Sequence, residues 1–274
     1  MDTIKIIFSD FDWTLFDHKT RTFNAKGIEG LKIAHDNGVK LIINSARTYY
    51  ALEKLNTFNL IPFDGYVLVN GGFTMIDGAT LYGDYINKDI KEKIIKALEK
   101  ENLGFILITQ FTTYIKEVDK KLINDFYSAY YEPYPVDFKN YQNEDVLSIQ
   151  IFATPHHDEF IKNLALKYDL LFNRVTENNV ELYPTEFLKS KGMKAILAKL
   201  NISPDEAMAF GDDTNDIPMF KLVKHSVCLG NGNPEAKKHA SFVTDTIEND
   251  GMYKALKKYN LIWSFKKLAV FQTS

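Results

Sequence analysis

Two carboxylates one residue apart, Asp10 and Asp12, close the apolar segment Ile4-Lys5-Ile6-Ile7-Phe8. Three more, Asp212, Asp213 and Asp216, follow Ala207-Met208-Ala209-Phe210 and Gly211. In extended chain, residues i and i+2 point the same way, so Asp10 and Asp12 can face one cavity. An isolated Asp titrates at about 3.9, and two like charges this close need a cation between them or a proton on one. Oxygen donors from several carboxylates suit a hard cation. Mg²⁺ fits best, because it keeps several waters and needs only two or three protein ligands. The plainer alternative is a pair of turns in which Asp caps backbone groups, with Asp212 or Asp213 as a helix N-cap. Lys191 stands beside Gly192 where a helix begins. Its side chain could reach the same rim and neutralise an anion, although a lone lysine is ordinarily solvated surface.

The elements that must hold these residues are short strands. Ile4–Phe8 and Ala207–Phe210 have the length and apolar content of strands buried on both faces, and open α/β sheets take their ligands at the carboxyl ends of such strands. Asn24 can cap a helix through about Asn37, with Ile28, Leu31 and Ala34 on one face and Gly38 as the stop. Val39–Ile43 reads as the next strand, ending in Asn44-Ser45-Ala46-Arg47. Strand, helix and strand make a βαβ unit, so the two strands should run parallel and bring Ser45 to the edge that carries Asp10. A helix over about 48–57 and a strand over about 65–69 follow. The pattern then changes. Asp77-Gly78 signals a hairpin. Strands over about 105–110, 113–117, 146–153 and 180–183, with helices over about 88–101, 119–131 and from Thr154-Pro155, read as an α+β insertion. The α/β alternation resumes at about Leu188.

Composition sets the bounds. The chain has 274 residues, 45% hydrophobic and 25% charged, with net charge −3, which suits a globular protein of one large or two modest domains. Nothing in the charge asks for a nucleic-acid or membrane partner. The single cysteine, Cys228, cannot form an intramolecular disulfide and reads as a core thiol. There is no signal-peptide pattern and no apolar run near the ~20 residues of a membrane span, so a cytoplasmic protein is expected. The apolar-rich tail from Leu261 to Ser274 reads as docking on the body or on a partner subunit.

Asp-x-Asp-x-Thr at Asp10–Thr14, a hydroxyl at the next strand end (Ser45), Lys191-Gly192 before a helix, and Gly211-Asp-Asp-Thr-Asn-Asp216 occur in this order. Together they resemble the haloacid dehalogenase superfamily, and their wording with the large insert resembles its Cof-type subfamily with a C2-type cap. The resemblance implies a Rossmann-like α/β core with a parallel sheet over 1–81 and 187–274, an α+β cap over 82–186, and Mg²⁺-dependent hydrolysis of phosphate monoesters. It implies Asp10 as the nucleophile that forms an aspartyl-phosphate and Asp12 as the general acid and then base. The metal would bind a carboxylate oxygen of Asp10, the backbone carbonyl of Asp12, and Asp212. Phosphate would be held by Ser45, backbone N–H groups near Ala46, Lys191 and Asn215. Arg47 would hold substrate or cap, or form a structural ion pair. Asp216 would act on the metal through water or through Lys191, and Asp213 would stand with it behind the metal's direct ligands.

Two positions depart from the subfamily pattern. Trp13 stands where Gly is usual, and Ser45-Ala46-Arg47 where Thr-Gly-Arg is usual. Neither removes a catalytic group. The aromatic stretch Phe126, Tyr127, Tyr130, Tyr131, Tyr134 and Tyr141 reads either as a stacking surface for a leaving group or as packing of a small domain. His156 and His157, adjacent on a helix, diverge and read as exposed. The expected partner is a small phosphorylated metabolite such as a sugar phosphate, and the expected assembly a monomer or homodimer. Two other readings stand beside the phosphatase: a phosphotransferase or phosphomutase on the same scaffold, and a non-catalytic phospho-ligand sensor.

Overall fold

The computed structural model describes residues 3–130 and 133–262. Tyr131 and the tail beyond Ile262 lie outside the described residues, as do the side chains of Phe126 and Tyr130. Contacts divide the chain into two units. One holds the residues up to Ser45, Phe58–Leu81, and those from Leu188 on; the other holds Ala46–Thr57 and Tyr82–Phe187. The segment Ala46–Thr57 thus groups with the second unit, although the insertion was expected to start only at 82.

The first unit is built on an eight-stranded sheet. Its order is Phe242–Val243, His225–Cys228, Ala207–Gly211, Ile6–Ser9, Lys40–Asn44, Gly65–Leu68, Phe73–Ile76 and Ala79–Gly83. The strand Ile6–Ser9 lies between Ala207–Gly211 and Lys40–Asn44, parallel to both, with Ser9 opposite Phe210 and Ile43. Asp10, Asp212 and Ser45 each follow the last residue of one of these strands, so the register alone brings them to one edge. The helix linking the first pair, Ala25–Asp36, begins at Asn24, whose side chain accepts from the Gly27 N–H, and stops before Gly38 at φ +90°. Asp77 and Gly78 both have positive φ, as a type I′ hairpin turn requires.

Both faces of this sheet are covered, which is why its strands read as unbroken apolar runs. On one face Ile7, Leu41, Met208, Phe210 and Val227 pack against Leu31 and Ala34 and against Met252, Ala255 and Leu256 of the helix Gly251–Lys258. On the other, Ile6, Phe8, Ile42, Ala209 and Cys228 pack against Met193, Ile196 and Leu197 of the helix Lys189–Leu200. Each fully buried large apolar side chain is worth about 1.5–3 kcal/mol relative to exposure, so these two layers hold the carboxyl edge of the sheet in place. Cys228 is buried as a free thiol, its pKa pushed up to about 12 by burial first and then by the Asp212 and Asp216 charges.

The second unit carries a six-stranded sheet of order Val136–Asp137, Thr113–Lys116, Gly104–Thr109, Val146–Phe152, Asn179–Tyr183 and Leu171–Thr176. Its core joins Phe105, Leu107, Ile149, Ile151, Val180 and Leu182 to the helices Lys88–Lys100 and Asp158–Lys167. The strand Leu171–Thr176 was not expected. Its residues alternate between exposed and half-buried, so it has no buried apolar row to announce it. No helix among the described residues is long and apolar enough to cross a membrane.

Candidate active site

The first unit gathers an ionic cluster at the carboxyl edge of its sheet. Lys189 Nζ lies 2.5 Å from Asp10 Oδ1 and 2.6 Å from Asp216 Oδ1. Asp216 turns its other oxygen to the backbone N–H groups of Asp212, at 2.7 Å, and Asp213, at 3.0 Å. It therefore braces the lysine and the loop at once. The Thr14 hydroxyl donates to Asp212 Oδ1 at 3.2 Å. Asp10, Asp212, Asp216 and Lys189 are all buried. Gly211 permits this packing, since a Cβ there would stand 2.3 Å from Asp216 Oδ2.

The lysine at these carboxylates is Lys189, which corrects the placement expected for Lys191. A helix advances by about 100° per residue, so Lys189 and Lys191 point roughly 200° apart. Lys189 shares the stripe of Gly192, Met193 and Ile196, at i+3, i+4 and i+7, which is the buried face of the helix Lys189–Leu200. Gly192 belongs to that face because a Cβ there would come within 2.4 Å of Val67 Cγ1. The periodicity makes this legible: Lys189, three before Gly192, lies on the buried face of the helix.

The other expected residues are placed as follows. Ser45 is fully buried at the end of its strand, its backbone N–H bonded to Val67 O. Ala46 and Arg47 follow in the segment that groups with the second unit. Asn215 is on the loop and its amide donates to Asn70 Oδ1 at 3.1 Å. Asp213 does what a capping residue does: its side chain accepts from Thr214 N at 2.7 Å and closes a reciprocal cap with Asp216. Asp12 Oδ1 is 2.6 Å from His18 Nε2, a partner that the sequence reading missed.

Charge in the cluster is unbalanced. Burial first, and then the charges of Asp216, Asp212 and Asp12, push the Asp10 carboxyl well above its usual range against the pull of Lys189. Burial and the Asp216 charge push Asp212 up to about 7, with Lys189 and Thr14 opposing. For Lys189, burial works against the charge, yet Asp10 and Asp216 outweigh it and hold the ammonium above its ordinary value. One ammonium thus faces three carboxylates. Ligand atoms of Asp10, Asp212 and Asp216 lie within 4.8 Å of one another. An all-oxygen set with surplus negative charge fits a hard divalent cation.

The profile of the haloacid dehalogenase-like hydrolases matches residues 7–256. The chain belongs to that family. Among its relatives, the 5-amino-6-(5-phospho-D-ribitylamino)uracil phosphatase YcsE of Bacillus subtilis is 24% identical, over 94% of this chain and 96% of that protein. A solved protein of Geobacillus kaustophilus superposes with a TM-score of 0.84 at 25% identity, over 94% of this chain and 99% of that one. The subclass IIB sugar phosphatase BT4131 superposes with a TM-score of 0.72 at 26% identity, over 94% of this chain and all of that one. The chain is therefore a hydrolase of this family, with its Rossmann-like core in the first unit.

Proposed function

We propose that this hydrolase is a phosphatase that cleaves phosphate monoesters of small metabolites through a phosphorylated Asp10. The observation that carries the reading is the Lys189 ammonium between Asp10 and Asp216 at the carboxyl edge of the sheet. It fixes one Asp10 oxygen and adds positive charge where phosphate oxygens would crowd a carboxylate. In the first half-reaction a carboxylate oxygen of Asp10 bonds to phosphorus, the bond to the leaving oxygen breaks, and Asp12 gives that oxygen its proton. In the second, Asp12 takes a proton from water, the water oxygen bonds to phosphorus, and Asp10 is released with inorganic phosphate. Lys189 replaces Lys191 as the residue that steadies phosphate oxygens. Ser45 and Asn215 would bind phosphate, and Asp216 positions Lys189.

Asp10 and Asp212, with the backbone carbonyl of Asp12, would hold Mg²⁺, which when bound screens the repulsion between phosphate and carboxylate. The cap role falls to the second unit, and the substrate is a small phosphorylated metabolite, as the relatives named for sugar and ribityl phosphate esters support. The test is phosphate release from a library of phosphorylated metabolites with Mg²⁺, with EDTA as control. Release that EDTA abolishes and Mg²⁺ restores is expected. No release from any ester would overturn the reading.

A further inference from the structure

The partner of Asp12 and the bulky residue after it form one device. Asp12 and Trp13 lie in a tight loop: the N–H groups of Thr14, Leu15 and Phe16 all turn to Phe11 O, and Trp13 N–H bonds to Phe16 O at 2.8 Å. Trp13 sits at φ +57°, a left-handed conformation that strains a non-glycine residue. A two-stranded hairpin follows, Phe16–Asp17 against Thr22–Phe23, and its turn begins at His18. There the imidazole is flanked by two rings: the indole of Trp13, with centroids 5.2 Å apart, and the edge-on ring of Phe16, at 5.3 Å. Phe16 is itself stacked on Phe11 and packed edge-on with Phe23. The Trp13 carbonyl is tied down by Asn231 Nδ2 at 2.9 Å, and Asn231 Oδ1 accepts from the Ile247 N–H at 2.8 Å. From this setting His18 Nε2 reaches Asp12 Oδ1 at 2.6 Å, with the His18 side chain 19% and the Asp12 side chain 30% exposed.

We infer that His18 is a positioning residue: clamped between Trp13 and Phe16, it donates its Nε2–H to Asp12 and fixes the orientation in which Asp12 protonates the leaving oxygen. The inference rests on the phosphatase reading above and adds the residues that orient its acid. A half-exposed carboxylate free to turn about two bonds spends much of its time aimed elsewhere, and proton transfer demands hydrogen-bond reach. The device also gives Trp13 a purpose. Glycine would relieve the backbone but remove the wall that keeps the imidazole in place.

Aryl phosphates test this without knowing the natural substrate. Phenol leaves as a strong base and needs the acid's proton, whereas p-nitrophenolate leaves readily without it. Single-turnover phenol release should fall about 10²-fold in His18→Ala, the lower end of what a general acid supplies, while p-nitrophenol release falls far less. The ratio of the two rates should then shift about 10-fold or more. His18→Gln, which keeps an N–H donor, should recover most of the loss. Trp13→Gly should shift the ratio in the same direction by a smaller factor, and it serves where His18→Ala does not fold. Equal losses on both esters, or a Gln variant no better than Ala, would overturn the positioning role. A wild-type protein inactive on both esters would instead remove the phosphatase reading beneath it.

Discussion

The two units treat buried charge in opposite ways. In the second, Lys91 and Glu181 make their hydrogen bonds mainly with neutral groups. Lys91, 1% exposed, donates to the carbonyls of Gln142 and Glu144 and lies 5.2 Å from the centre of the Tyr141 ring, with Glu92 3.5 Å away at the surface. Glu181 accepts from the Ser148 hydroxyl at 2.7 Å, and burial pushes its carboxyl up. In the first unit the buried charges converge, with one ammonium among Asp10, Asp212 and Asp216. Dispersed and hydrogen-bonded, a buried charge organises a fold. Concentrated and out of balance, it invites a cation and an anionic substrate. The same contrast separates Lys91, which ties a loop to a helix, from Lys189, which faces the carboxylates of the proposed reaction.

Substitutions can break or sharpen this contrast. Asp10→Asn should lower turnover to background, read as phosphate release, and residual activity near wild type would mean that Asp10 is not the nucleophile. Lys189→Met should raise the barrier by about 3 kcal/mol, the scale of one lost electrostatic group, whereas Lys191→Met should lose far less. The reverse order in kcat would undo the placement of Lys189. Lys91→Met should leave kcat nearly unchanged and lower unfolding stability by about 1–3 kcal/mol, because two carbonyls lose a buried donor. Denaturant unfolding beside a turnover assay separates the two lysines.

The smallest effect concerns pH. Without a divalent cation, the Asp212 carboxyl is held up to about 7, above its value in an unfolded chain. A carboxyl that binds its proton more tightly when folded favours the fold at low pH. Stability from this group is fully present below the ordinary Asp range and falls as pH rises through about 7. The melting temperature in EDTA should drop by a few degrees across that window, about the response of a domain this size to ~1 kcal/mol. Added Mg²⁺ should flatten the drop, and an equal slope with Mg²⁺ would argue against Asp212 as a ligand.

How much of this was legible depended on the length of each pattern. Ile6–Phe8, Leu41–Ile43 and Ala207–Phe210 are buried on both faces, so the apolar runs that contain them read directly as parallel strands, and with them came the shared edge of Asp10, Ser45 and Asp212. Lys189 was passed over because the Lys191-Gly192 pair drew attention to adjacency in sequence. The governing signal was the i, i+3, i+4, i+7 row through Gly192, Met193 and Ile196. His18 was missed because its hairpin has strands of two residues each, too short for any periodicity, and its link to Asp12 depends on a loop turning back at Trp13. Leu171–Thr176 was missed because an edge strand without a buried row resembles a loop. For Asp213 the sequence allows a helix cap or a group behind the metal's ligands, and which way one side chain turns decides between them.

The most direct measurement is to quench the working enzyme at early times, reduce the trapped protein with borohydride, and locate the modified residue by mass spectrometry. An acyl phosphate at Asp10 would appear as a homoserine at position 10, forming in wild type and absent in Asp10→Asn. Turnover with no modified carboxylate, or modification at a residue other than Asp10, would contradict the account.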